Sequence, residues 1–340
     1  MRHAFGADFD VPLGYLDTAS IGVPSVAVAD AVVEAVDHWR RAEQGPFEHD
    51  AAVERAREAF AGLIGVPAGQ VAIGATVSQL LAPVAAGLPD GARVVTLERE
   101  YTSVTFPFAA HAGRGVTVAE VPRDQLYDRV AGHDVVAISL VQSADGWTVD
   151  PDRLRQAAQA AGALVVLDAS QAVGWLPLRL DWADFVAVHG YKWLFSPRGA
   201  AWLSVHPRAA ERGLPVAAGW YAAQPPADPA YGLPLRLRAG ARRFDLSPAW
   251  ISQAGAAEAL PYLAGLDLEC VHRHNVGLAD RFLCGLGLEP RGQAIVSVDA
   301  DQERLRAARV VAPLRDGRTR FSFHLYNTEA DVERALEALA

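Results

Sequence analysis

Residues 184–203 read DFVAVHGYKWLFSPRGAAWL, which sets Lys192 at the end of one apolar run and just before another. Interior strands normally close in turn or capping residues. A lysine boxed between Tyr191 and Trp193, with His189 beside it, resists burial unless its amine has a task, and burial lets a lysine shed its proton. The pattern recurs upstream in GALVVLDASQAVGW, residues 162–175, where a short apolar strand, 163–167, ends in Asp168 with Gln171 following. Both strand ends are therefore expected to face one ligand.

Working outward, apolar runs at 71–73, 93–97, 115–121, 134–141, 185–188 and 200–205 alternate with helical or loop segments. That alternation predicts an α/β fold with a largely parallel sheet covered on both faces. Apolar residues at helical spacing predict helices over 26–39 and 51–65, separated by the loop AEQGPFEHD. A third helix is expected over 150–162, with Asp150 as its cap, Pro151 in its first turn and Gly162 past its end. The Pro-rich span 225–234 reads as a surface excursion. A helix over 249–286, broken near Pro261, leads into a last α/β unit ending TRFSFHLYNTEADVERALEALA, with a helix start at Thr328 to Asp331. Near the beginning, LGYLDTASIGVPS holds the small residues Thr18, Ala19, Ser20 and Gly22, which are expected to let a ligand approach the backbone.

Composition narrows the function classes. With 51% hydrophobic and 21% charged residues, the chain has the apolar content for a sizeable core and is not expected to be disordered. A net charge of -9 with scattered arginines argues against a nucleic-acid partner. The first residues lack the apolar segment of a secretory signal, and no apolar run approaches the roughly 20 residues that span a bilayer. The expectation is a cytoplasmic protein with no membrane partner. Cys270 and Cys284 are read as buried structural thiols on one face of a helix. His272 and His274 fall on different sides of that helix without the ligands that would complete a zinc set, so no metal is expected.

In open α/β sheets ligands collect beyond the carboxyl ends of the strands. That crevice would hold Thr76, Asp168, Lys192, and either Gln142 or Ser143. In VAIGATVSQLLAPVAAGL, a strand, a small-residue turn and a helix start offer free N–H groups to an anion, although an ordinary capped helix uses the same residues. Neither a Gly-rich dinucleotide turn nor a P-loop is present. An amine that condenses with an aldehyde and a carboxylate that keeps a pyridine nitrogen protonated are what pyridoxal 5'-phosphate requires.

These residues resemble the pyridoxal-phosphate enzymes of aminotransferase class V, a group that includes cysteine desulfurases, kynureninases and isopenicillin N epimerase-like proteins. The resemblance runs from LDTASIG to RFSFHLYNTEADVERAL and is most specific in DASQAVG and HGYKWLFSPRG. It implies the aspartate aminotransferase-like fold (fold type I): a three-layer large domain around a mostly parallel seven-stranded sheet, a smaller C-terminal α/β domain, and a homodimer. The implied division is an N-terminal segment over 1–25, a large domain over 26–248 and a small domain over 249–340. Lys192 is implied to be the Schiff-base lysine, Asp168 the partner of the pyridine nitrogen and Gln171 the partner of the phenolic oxygen. Ala75, Thr76, His189 and Tyr191 would bind the phosphate, and Tyr101 would stack on the ring. Ser143 falls where many relatives have Asn, and Ser247 where a Thr reaches the neighbouring subunit's phosphate. Arg320 would receive the substrate carboxylate, a task suited to its two-pronged guanidinium.

Departures from the pattern bear on the reaction. The stretch ERLRAARVVAPLRDGR lacks the loop cysteine of desulfurases, and Tyr101 stands where they carry His. Desulfuration is therefore disfavoured, and transamination or β-elimination of the C–S lyase type on an amino-acid substrate is expected. Epimerisation and a non-catalytic binding or regulatory subunit are the alternatives, and a nicotinamide oxidoreductase lacks its Gly-rich turn. Trp193, Trp220, Tyr221 and Trp250 are candidates for the substrate pocket, though core packing explains them equally.

Overall fold

The computed structural model describes residues 1–224 and 230–340. A hairpin of β1 (Arg2–Ala4) and β2 (Ala7–Phe9) precedes α1 (Val26–Arg40) and α2 (Asp50–Ile64). There follow β3 (Val71–Gly74), α3 (Val77–Ala86), β4 (Arg93–Leu97), α4 (Thr102–Ala109), β5 (Thr117–Val121), α5 (Leu126–Arg129), β6 (Val135–Ser139), α6 (Pro151–Ala161), β7 (Leu164–Asp168), β8 (Phe185–His189) and β9 (Ala201–Val205). The C-terminal part adds α7 (Trp250–Ala264), α8 (Leu268–Gly285), β10 (Ile295–Val298), α9 (Gln302–Ala307), β11 (Leu314–Arg315), β12 (Arg318–Ser322) and α10 (Glu329–Leu339).

Seven strands form the central sheet in the order β3-β9-β8-β7-β6-β4-β5. Only β9 runs against its neighbours; the other pairings are parallel. This is the mostly parallel, helix-covered α/β sheet that the alternating runs imply. Side chains of β8 and β9 alternate between two apolar layers. Val186, Val188 and Trp202 enter one layer, with Phe60 of α2. Phe185, Ala187 and Leu203 enter the other, with Leu80 of α3. Burial on both faces explains why the strands read as continuous apolar runs rather than as alternating ones.

Register aligns the strand ends that matter. Ser139 pairs with Asp168 and Asp168 with Ala187. His189 and Gly74 both pair with Ala201. Because β9 is antiparallel to both neighbours, β3 points the same way as β8, and the carboxyl ends of β3, β8, β7 and β6 lie along one edge.

A second sheet has the order β10-β12-β11. The chain's beginning joins it: Tyr15 bridges to Val311 and Asp17 to Ser322, both in parallel. Leu16 N–H donates to the Val311 carbonyl at 3.0 Å, and Ser322 N–H donates to the Leu16 carbonyl at 2.9 Å.

Several sequence expectations shift here. Strand β6 ends at Ser139 rather than at 141, and β5 begins two residues after Gly115, which adopts a left-handed φ of 76°. The break in the long helix falls beyond Pro261. That proline lies inside α7, whose end is set by Gly265 and by Asp267, which caps α8 by accepting from Glu269 N–H and Cys270 N–H. The thiols are not buried: Cys270 is half-buried and Cys284 exposed. The apolar stripe of α8 passes through Val271, Leu278, Ala279, Phe282 and Leu283, and both cysteines stand just off it. The surface excursion expected at 225–234 lies in part outside the described residues. Among the described residues, no helix is long and apolar enough to cross a membrane.

Candidate active site

The turn after β8 carries Lys192 into the crevice, with 7% of its surface exposed. The turn is held from behind. Trp193 is fully buried, and its indole N–H donates to Gln171 Oε1 at 2.7 Å. His324 Nε2 meets the Trp193 carbonyl at 3.0 Å, so Nε2 carries the proton, and Nδ1 faces Asn275 at 3.3 Å. Burial holds the His324 ring far down, at about 3, so it is neutral at ordinary pH. Gly22 packs against the same turn: its N–H donates to the Tyr191 carbonyl at 2.9 Å, and a Cβ there would collide with the Lys192 carbonyl.

The amine and carboxylate are both short of partners. Burial lowers Lys192 to about 8, with Arg320, Arg315 and Arg198 pushing the same way and Asp168 opposing. Burial raises Asp168, which Ser170 N–H at 2.8 Å and the charge of Lys192 only partly offset. No ion pair within 4.0 Å forms at either residue among the described residues. Lys192 Nζ lies 5.4 Å from the centre of the Tyr101 ring and 5.6 Å from that of Tyr191.

Around this pair, His189 stands edge-on to Tyr191, with ring centres 4.3 Å apart. Burial first, then the charges of Lys192 and Arg198, lower His189 to about 3. Its Nε2 is buried with no partner among the described residues. Burial raises Tyr191 as well. At the end of β3, Thr76 caps α3 by accepting from Gln79 N–H at 3.2 Å, and Ala75 N–H donates to Gln79 Oε1 at 3.2 Å. The remaining N–H groups of that first turn point out of the helix start.

Glu100 organises the loops after β4 and β6. Its buried carboxylate accepts from Tyr101 N–H at 2.7 Å, Ser139 N–H at 2.8 Å, Ser139 Oγ at 2.6 Å and Gln142 Nε2 at 2.8 Å. Gln142, one of the two candidates after that strand, thus serves Glu100, and both it and Ser143 line the cavity beside Tyr101. Ser143 Oγ accepts from Gln171 Nε2 at 3.3 Å and from Arg320 at 3.1 Å. Gln171 Nε2 also donates to the Ala19 carbonyl at 3.0 Å.

Arg320, on β12, is 1% exposed and fully engaged at both terminal nitrogens. It donates to the Ser143 carbonyl at 2.7 Å, to Ser20 Oγ at 2.6 Å and to Asp17 at 3.1 Å. The small residues of the 13–25 stretch meet protein groups: Thr18 the Tyr326 hydroxyl, Ala19 N–H the Ser322 Oγ, and Ser20 the Arg320 guanidinium.

Ser247 is exposed and accepts from the Trp220 indole N–H at 3.3 Å, apart from the Lys192 cluster. The other aromatic candidates also pack elsewhere. Trp193 lies in the core, Tyr221 donates to Asp50 at 3.0 Å, and Trp250 stacks on His49 with ring centres 5.0 Å apart. Glu100, Asp17, Arg198 and Arg315 stand outside the roles that the motifs assign in the sequence. Arg198 was quoted within SPRG without a role; its guanidinium lies over the Tyr191 ring at 5.3 Å.

The family model for aminotransferase class-V matches residues 28–313. The chain belongs to that family. It is a pyridoxal-phosphate-dependent enzyme. This class V enzyme is 28% identical over 313 residues to an uncharacterised aminotransferase, YcbU, of Bacillus subtilis (strain 168), covering 84% of this chain and 83% of that protein. It is 28% identical over 339 residues to an isopenicillin N epimerase of Amycolatopsis lactamdurans, again covering 84% and 83%. Its fold superposes on a solved complex of the cystine C-S lyase C-DES with cysteine persulfide at a TM-score of 0.87, with 19% identity over 97% of each chain. Probable cysteine desulfurases are also among its relatives and solved fold neighbours, so the comparisons do not support setting desulfuration aside.

The residues present fit the cofactor. A carboxylate raised by burial is suited to a protonated ring nitrogen, and a buried amine lowered towards neutrality is suited to an aldehyde. The orphaned His189 Nε2 and the open helix start at Thr76 are suited to a phosphate.

Proposed function

We propose that this enzyme acts at the Cα of an amino acid and ends in amino transfer or β-elimination, with Lys192 as its proton-transfer residue. The observation that carries the reading is the arrangement of Lys192 and Asp168 at the ends of neighbouring strands, with the amine lowered to about 8 beside the Tyr101 ring.

When bound, pyridoxal phosphate supplies an aldehyde carbon for amines and a ring that withdraws electrons from Cα. Lys192 Nζ would hold the cofactor's aldehyde carbon, and its free amine would take the Cα proton and return it. Its lowered pKa keeps an appreciable amine fraction near neutrality. Asp168 would keep a proton on the ring nitrogen, and Ser170 N–H fixes the carboxylate's orientation. Thr76, the Ala75 backbone, His189 and Tyr191 receive the phosphate. Tyr101 would pack on the ring, Gln171 and Ser143 would bond the phenolic oxygen, and Arg320 would orient the substrate carboxylate.

Both thiols sit on α8, Cys270 against Asp267 and Arg273 and Cys284 exposed. Neither lines the cavity beside Tyr101, which favours chemistry run by Lys192 over persulfide formation at a cysteine. A homodimer accompanies the reading. Exposed Val33 and Trp39 on α1, with Phe47 nearby in sequence, support an apolar face for a second copy.

The test is product analysis with the purified holoenzyme over a panel of amino acids, with and without a keto-acid acceptor. Ammonia with a keto acid marks elimination, and an aminated acceptor marks transfer. Protein that stays colourless with added cofactor would overturn the reading, as would persulfide formation on Cys270 or Cys284 during turnover.

A further inference from the structure

We propose that Arg315 is the specificity-determining residue of this site and receives a second carboxylate on the side chain of an acidic amino-acid substrate. The inference rests on the proposed reaction at Cα and names the substrate class.

Two guanidinium groups converge on one oxygen. Ser20 Oγ accepts from Arg320 at 2.6 Å and from Arg315 at 3.1 Å. Their circumstances differ. Arg320 is buried, ion-paired with Asp17 and bonded to Ser143. Arg315 is exposed, its other bond goes to the carbonyl of its neighbour Leu314 at 2.9 Å, and no carboxylate among the described residues lies within 4.0 Å. The adjacent Asp316 does not neutralise it, because that carboxylate is engaged by Arg99.

The uncompensated cation shares a cavity with Tyr101, the ring nearest Lys192 Nζ. Arg99, Tyr101, Gln142, Ser143, Arg315 and Asp316 line one cavity, and Tyr101 lies over Lys192 Nζ. A substrate oriented by Arg320 and reacting at Lys192 therefore extends its side chain along a wall that ends in Arg315. The short β11–β12 hairpin, which pairs Arg315 with Arg318 and Leu314 with Thr319, fixes the residue's place five positions before Arg320. A guanidinium fork on a fixed turn, without a counter-ion among the described residues, matches a carboxylate in charge and geometry.

The experiment titrates the holoenzyme with aspartate, glutamate, asparagine and glutamine, reading the absorbance of the bound cofactor to obtain Kd. In the wild type at least one acid is expected to bind about tenfold or more tightly than its amide, a preference that weakens with added salt. Arg315→Gln should bring that acid to the level of its amide while leaving amide binding within about twofold, and Arg315→Lys should keep part of the preference. Equal binding of acid and amide in the wild type would overturn the proposal. So would an Arg315→Gln loss of equal size for both, which would assign the residue to the α-carboxylate. If the enzyme is yellow and forms a borohydride-stable adduct yet no amino acid perturbs it, the reaction reading and this inference fall together.

Discussion

Arg320 and Asp17 form a buried ion pair, 3.1 Å apart, that joins the beginning of the chain to β12. In its proposed role Arg320 would be shared between a substrate carboxylate and a resident one, and the pair would set substrate affinity as well as stability. Asp17→Asn keeps the shape and removes the competing charge. Affinity for a simple carboxylate ligand is expected to rise severalfold, with a loss of about 3 kcal/mol in unfolding free energy. Spectral titration and urea unfolding measure the two; weaker ligand binding would show that Asp17 assists the clamp.

Lys192 should govern the pH dependence of cofactor uptake. Its pKa is lowered to about 8, below the ordinary lysine value, so the reactive amine form grows as pH rises through about 8. The rate at which apoenzyme gains cofactor absorbance should climb through that window and level off above it. A climb centred near pH 10 would mean that the amine is not desolvated. Lys192→Ala should yield no borohydride-stable adduct.

For Asp168→Asn, the cofactor should still be held through the phosphate groups while turnover falls by roughly a hundredfold or more, because the ring nitrogen loses its anionic partner. Cofactor content and kcat are the measurements. Retained turnover would assign the ring nitrogen to another group.

Glu100→Gln puts an amide where four donors converge on a buried carboxylate. A donor then faces donors, which costs about 1–3 kcal/mol. Unfolding free energy should fall by that amount, and the loosened Tyr101 loop should show as weaker cofactor affinity in dialysis. Stability equal to the wild type would mean that Glu100 is already protonated in the folded protein, the direction in which burial pushes it.

Much of the fold was legible because it is written locally. Strands buried on both faces appear as apolar runs, and the caps of α3 and α6 appear as Thr76 and Asp150. The same logic put Lys192, Asp168 and Thr76 at strand ends and helix starts, where a parallel sheet must gather them.

What the sequence by itself determined is therefore the sheet, its edge of convergent ends and the chemical types on that edge. Only the tertiary structure decided what those groups face. It paired Arg320 with Asp17, used Gly22 to seat the Lys192 turn and set Glu100 behind Tyr101. It turned Cys270 and Cys284 away from the core and left Arg315 without a counter-ion among the described residues. The physical reason is range. Periodicity and capping act over one turn or one strand, whereas each of these outcomes depends on a contact between distant segments, and charge balance in a buried site is the sum of such contacts.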